Sequence, residues 1–176
     1  MVADTGWLLD HVRDVPDFPR LGVTFKDITP LLAEPDAFRF AVDALADHFA
    51  GLPIDRVVGI EARGFIIAAP VAYRLGAAFI PARKAGKLPW AVAREEYDLE
   101  YGTDRLEIHR DGVLPGEQVV IVDDVLATGG TASAAVRLVE GLGAVVVGLA
   151  FLLELPFLEG RMRLERYDVK ALIQGA

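Results

Sequence analysis

Apolar residues along this chain follow two spacings. Short unbroken runs occur at Arg56 to Ile60, Ala77 to Pro81, Gln118 to Val122 and Ala144 to Leu153. Runs of this length without alternation predict strands covered on both faces. Between them the apolar positions recur every three or four residues. Asp36 to Phe49 places Ala37, Phe40, Ala41, Ala44, Leu45 and Phe49 on one face, with Pro35 as a start signal. Gly64 to Leu75 predicts a second helix stopped by Gly76, and Thr131 to Leu142 a third closed by Gly143. Strands alternating with helices predict an α/β fold: a mainly parallel central sheet flanked by helices, in one domain over residues 1–176. Ligands of such sheets sit beyond the C-terminal ends of the strands, so chemistry is sought after Ile60, Ile80 and Val122.

Two stretches break this rhythm. Residues 1–35 carry Pro16, Pro19, Gly22 and Pro30 and predict a small, turn-rich N-terminal hood. Residues 84–103 are polar, hold Gly86, Pro89 and Gly102, and show no clear period. So long an irregular stretch in a compact domain predicts a lid or flexible arm. Asp104 to His109 reads as a strand and Pro115-Gly116 as a turn.

Composition narrows the function. The 176 residues are 53% apolar, enough for a sizeable core. The formal net charge is −8, which argues against a nucleic-acid scaffold. The longest apolar run, Ala144 to Leu153, is too short to span a bilayer, and Asp4, Asp10 and Asp14 do not fit a basic-then-apolar leader. There is no cysteine, which excludes thiol chemistry and suits the cytoplasm. His11, His48 and His109 do not cluster at metal-ligand spacing. Against this acidic background Arg83, Lys84 and Lys87 fall within five residues, a local positive patch suited to a small anion.

The densest chemical signal is Val119-Val-Ile-Val-Asp-Asp-Val-Leu-Ala-Thr-Gly-Gly-Thr131. A buried strand delivers Asp123 and Asp124 to its end, and a loop of Ala127, Thr128, Gly129, Gly130 and Thr131 then opens a helix. The glycines allow close backbone approach, and the first N–H groups of a helix lack internal partners, so this loop suits a phosphate monoester. The carboxylates suit sugar hydroxyls, or a magnesium ion carried by a sugar diphosphate. Neither a P-loop nor a Gly-x-Gly-x-x-Gly fingerprint is present.

This segment closely resembles the phosphoribosyl pyrophosphate (PRPP) signature of type I phosphoribosyltransferases. Asp17-Phe-Pro-Arg-Leu-Gly-Val-Thr-Phe-Lys-Asp-Ile-Thr-Pro30, Gly59-Ile-Glu-Ala-Arg-Gly-Phe65, Arg83-Lys-Ala-Gly-Lys-Leu-Pro89 and Leu99-Glu-Tyr-Gly102 resemble its adenine-using members. The likeness runs from about Asp17 to Leu155, with Lys26 where arginine is common, and the last twenty or so residues carry no assignment. It implies the type I fold and transfer of the 5-phosphoribosyl group of PRPP to adenine, giving AMP and pyrophosphate. The alternatives are transfer to another purine or a pyrimidine, or a non-catalytic PRPP- or purine-binding regulator.

The resemblance also implies roles. Ala127 to Thr131 cradle the 5-phosphate, and Asp123 and Asp124 hold the ribose hydroxyls. Arg63, Arg83, Lys84 and Lys87 bind the diphosphate. Glu100, in the lid over 84–103, is the catalytic acid/base, and Tyr101 beside it caps the ribose or phosphate. Phe25 walls the base, whose edge is read by backbone near Val23 and Lys26. A cis Glu61-Ala62 peptide is implied at the pyrophosphate loop. Mg2+ comes with the substrate, no metal is held by the protein alone, and a homodimer is implied.

Overall fold

The computed structural model describes residues 5–98 and 103–175. A 3-10 turn over Gly6–His11 leads into β1 (Arg13–Val15) and β2 (Phe25–Asp27), then α1 (Thr29–Ala33) and α2 (Pro35–His48). There follow β3 (Arg56–Ile60), α3 (Gly64–Leu75), β4 (Ala78–Lys84), β5 (Val92–Asp98) and β6 (Thr103–His109). The chain continues with β7 (Gln118–Leu126), α4 (Gly130–Gly141), β8 (Val145–Glu154), 3-10 turns at Pro156–Leu158 and Gly160–Leu164, and β9 (Asp168–Gln174).

β1 and β2 pair antiparallel as a small ribbon in the N-terminal hood. The remaining seven strands form one sheet in the order β5-β6-β4-β3-β7-β8-β9. From β4 to β9 every pairing is parallel, while β6 and β5 close one edge antiparallel. β3 and β7 lie at the centre, with helices packed on both faces. Along β3 and β7 alternate residues serve opposite cores: Val57, Val120 and Val122 meet α2 and α3, whereas Val58, Val119 and Ile121 meet the α4 side. Burial on both faces is why these strands read as unbroken apolar runs. Among the described residues no helix is long and apolar enough to cross a membrane.

The structure extends several elements beyond their apolar runs. β7 continues through the acidic pair to Leu126, because Val125 and Leu126 still have partners in Leu153 and Glu154 of β8. The acids therefore lie within a strand, not at its end. β4 continues to Lys84 because Arg83 and Lys84 pair with Glu107 and Leu106 of β6. Much of 84–103 is ordered pairing and not irregular loop: β5 and β6 align from Val92 opposite His109 to Asp98 opposite Thr103. Charged Arg94, Glu95 and Glu96 hide the strand from an apolar pattern. The C-terminal residues left without assignment supply β9, the other edge of the sheet.

Phe49 closes α2 and is fully buried in the core shared with α3 and β8. Phe49→Ala is expected to cost about 3–5 kcal/mol, the usual range for emptying a buried aromatic site. Urea denaturation should show a lower midpoint at an unchanged slope.

Candidate functional site

Asp123 and Asp124 sit side by side on β7, so the pleat aims their side chains to opposite sides. The Asp124 N–H donates back to Asp123 Oδ1 at 2.8 Å. Asp123 lies close against the start of α3, where a Cβ on Gly64 would come within 2.6 Å of Oδ1. Burial, and then the neighbouring charge of Asp124, push the Asp123 carboxyl well above its ordinary value. Asp124 is buried, and its Oδ2 lies 2.7 Å from Arg63 Nε as an ion pair without an aligned hydrogen bond. Arg63 reaches this point from the residue before α3. Its guanidinium also stands 4.9 Å from the centre of the Phe25 ring, which makes an edge contact with Phe18 at 5.2 Å. One arginine thus links the hood to the acidic pair. The Glu61-Ala62 peptide beside it is cis, as the sequence resemblance implied.

Beyond the acids, β7 gives way to the loop of Ala127 to Gly129. Gly129 takes φ +77°, the left-handed region that glycine tolerates. α4 begins at Gly130 with no side chain capping it, which leaves its first N–H groups open. Asp123, Leu126, Ala127, Thr128, Gly129, Gly130, Thr131 and Ala132 line a concavity of about 70 Å³ here. It adjoins a larger one of about 270 Å³, bounded by Glu61, Ala62, Arg63, Lys84, Tyr97, Asp104 and Asp124. The two share Asp123 and Thr131. The two concavities thus adjoin, with open helix N–H groups in one and paired charges in the other.

The three cations expected to form a free positive patch are each paired. Glu61, whose side chain is only 7% exposed, takes Arg83 at 3.3 Å, the Lys87 ammonium, and the Lys84 N–H at 2.9 Å. Burial alone would raise the Glu61 carboxyl; the donors from Lys87, Lys84 and Arg83 outweigh it and hold the group below its ordinary value. Lys84 Nζ turns into the larger cavity and meets Asp104 at 3.0 Å, which keeps the ammonium above its usual range. Sequence shows the charges but not their partners.

Tyr97 and Asp104 are site residues that sequence reasoning missed. They face each other across the β5–β6 hairpin, with the Tyr97 hydroxyl 3.2 Å from Asp104 Oδ2. Burial pushes the Tyr97 phenol above its ordinary value. The usable signal was the apolar spacing: Tyr97, Leu106 and Ile108 are the large buried apolar residues of a mostly charged hairpin, with Glu107 also buried between the last two. Arg137 of α4 pins this hairpin by bonding Glu95 and the Glu96 carbonyl.

Of the predicted base contacts, Phe25 stands next to Arg63, while the Lys26 ammonium turns away to Asp14 at 2.9 Å. Val23 is engaged in the hood turn: its carbonyl accepts from the Phe18 N–H at 3.1 Å, and its N–H donates to the Arg20 carbonyl at 3.3 Å. Glu100 and Tyr101 lie outside the described residues. Among the described residues no group of three or more acidic, histidine or cysteine side chains could hold a metal ion.

The phosphoribosyl transferase domain model matches residues 28–172. The adenine phosphoribosyltransferase of Thermobifida fusca is 60% identical over 173 residues, 98% of each chain. The crystal structure of adenine phosphoribosyltransferase from Thermoanaerobacter pseudethanolicus superposes with a TM-score of 0.94 at 51% identity, covering 97% of this chain and 99% of that one. The Saccharomyces cerevisiae enzyme, crystallised with an imino-altritol bisphosphate and adenine, gives 0.91 at 39% identity over 98% and 99%.

The raised Asp123 carboxyl has a stability consequence. The folded state holds this proton more tightly than the unfolded chain, so the contribution is fully present below the unfolded value near 3.8. It is lost as pH rises through the elevated folded value. Asp123→Asn removes the charge and keeps an acceptor for the Asp124 N–H. It should raise Tm by a few degrees at neutral pH, at about 2–4 °C per kcal/mol for a chain this size. The gain over wild type should shrink on acidification, as thermal melts between pH 4 and 8 would record.

Proposed function

The chain belongs to the phosphoribosyl transferase domain family, and from that premise we propose that it transfers the 5-phosphoribosyl group of PRPP to adenine, giving AMP and pyrophosphate. One observation carries the reading at the level of the site. The open N-terminus of α4, the acidic pair and Arg63 border two adjoining concavities, in a chain 60% identical to an adenine phosphoribosyltransferase.

In this reading the loop of Ala127, Thr128, Gly129, Gly130 and Thr131 takes the 5-phosphate on backbone N–H groups and hydroxyls. Asp123 and Asp124 accept the ribose hydroxyls. Arg63, Lys84, Arg83 and Lys87 take the diphosphate, with Arg63 exchanging its contact to Asp124 for a substrate oxygen. PRPP arrives as its magnesium complex. Asp124 Oδ2, ion-paired to Arg63 but without a hydrogen bond, and the nearby Asp123 and Asp104 suit waters on such an ion, with no cage of protein ligands required. The C1–oxygen bond to pyrophosphate breaks and the C1–nitrogen bond to adenine forms. The electron pair leaves with pyrophosphate, and adenine gives up the nitrogen-bound proton.

Positive charge gathers on the sugar as the leaving group departs, so Asp124 and the cations around the diphosphate stabilise complementary parts of the transition state. Phe25 walls the base, and backbone near Val23 and Lys26 reads its edge. Glu100 closes with Tyr101 over the site and handles the proton that adenine loses. Closure excludes water and suppresses hydrolysis of PRPP.

Two further parts of the proposal concern context. The chain works as a homodimer, supported by the face of α3 where Ile66 and Tyr73 are 45% and 87% exposed. It acts in the cytoplasm in purine salvage, a setting that suits a cysteine-free sequence.

The test is product formation with PRPP, magnesium and one base at a time. AMP and pyrophosphate from adenine, and no nucleotide from hypoxanthine, guanine, uracil or orotate, is the expected result. Turnover of another base would overturn the base assignment. PRPP binding without any turnover would favour a regulator. Glu100→Gln should lower kcat by roughly 10²–10⁴, the usual worth of a general acid/base, with the KM for PRPP changed far less.

A further inference from the structure

The phosphate loop has a neighbour that its own motif does not contain. Gly160, in the turn after β8, is buried directly behind the loop. A Cβ placed on Gly160 would overlap the Ala127 carbonyl oxygen and lie 2.9 Å from the Gly129 nitrogen. The relation is reciprocal: a Cβ on Gly129 would lie 2.5 Å from the Gly160 oxygen. Two backbones meet here with no room for a methyl group between them. Gly160 itself does not lie in the left-handed region, so its requirement for glycine is one of space alone.

The turn that carries Gly160 is clamped. Arg161 forms a two-pronged ion pair with Glu154 at the end of β8, at 2.9 and 2.6 Å, and Glu154 is 4% exposed. The same guanidinium donates to the Val169 carbonyl of β9 at 2.8 Å. Leu155 N–H also bonds the Leu126 carbonyl, at 2.9 Å, where β7 enters the loop. The C-terminal segment is thus fixed to β7, β8 and β9 at once and presses a side-chain-free backbone on the loop. The same loop lines the 70 Å³ concavity.

We infer that Gly160, held in place by Arg161, is a positioning residue for the phosphate loop. It sets the loop's depth, and so the placing of its N–H groups around a phosphate monoester. This rests on the proposed function for the identity of that ligand. A fixed array of donors binds an anion without reorganising, and a displacement of a few tenths of an ångström lengthens several bonds together.

The experiment compares wild type with Gly160→Ala, Arg161→Lys and the control Gly141→Ala, whose added methyl meets nothing within 4 Å. Calorimetry measures Kd for AMP, and steady-state kinetics give kcat and both KM values. Gly160→Ala should weaken AMP and raise the KM for PRPP by about tenfold or more, with the KM for adenine and kcat within about threefold. Arg161→Lys keeps the charge but loses the planar fork, and should show the same pattern at about threefold. Gly141→Ala should match wild type. A purely structural role would lower the active fraction, and so kcat, with both KM values unchanged; that pattern overturns the inference. So does an AMP Kd unchanged in Gly160→Ala, or in Arg161→Lys should the alanine variant not fold. Absence of adenine turnover in wild type would instead overturn the proposed function.

Discussion

Everything in the site hangs on placing two adjacent carboxylates on the central strand of a sheet covered on both faces. β7 can carry Asp123 and Asp124 because β8 goes on pairing with it past Val122, where its pairing with β3 ends, leaving the side chains to find their own compensation. Asp124 finds it in Arg63. Asp123 has only the N–H of its neighbour and the start of α3, and its carboxyl is correspondingly hard to ionise. A pair so placed works against folding and suits a ligand that brings hydroxyls, cations and waters of its own.

The rest of the charge distribution follows the same logic. A site read as taking a diphosphate needs several cations close together. Here Arg83 and Lys87 rest on Glu61, Lys84 on Asp104 and Arg63 on Asp124, so the protein's own charges largely balance around the cavity. Each pairing keeps a long basic side chain near its working position. On the proposed function each is exchanged when phosphate oxygens enter, which softens the net gain from each cation and favours a ligand that offers several oxygens together.

Much of this was legible in the sequence, for identifiable reasons. β3 and α3 have the bounds their apolar patterns predict, since strands buried on two faces and helices stopped by glycine leave strong local signals. The acid–loop–helix run was legible because each of its parts has a local chemical reason. What escaped depends on distant partners. The β5–β6 hairpin is mostly charged, so its strands exist through pairing with each other and with β4. Tyr97 and Asp104 enter the site only through that pairing. β9 is recruited by β8, and Glu61 acquires its cations from β4 and the turn after it, more than twenty residues away.

The same dependence on partners explains why the C-terminal segment, silent as sequence, has consequences at the site. A phosphate loop with two glycines gains close approach to its ligand but loses side chains that would hold its own shape. Rigidity has to come from outside the motif. The turn at Gly160 supplies it by contact of backbone on backbone, and the Glu154–Arg161 pair ties that turn to the sheet carrying the acids. Loop and carboxylates are thereby referred to one rigid frame. On the proposed function that common frame holds one molecule at its phosphate and at its sugar in fixed relation, a requirement for aligning its C1 atom with an incoming nitrogen.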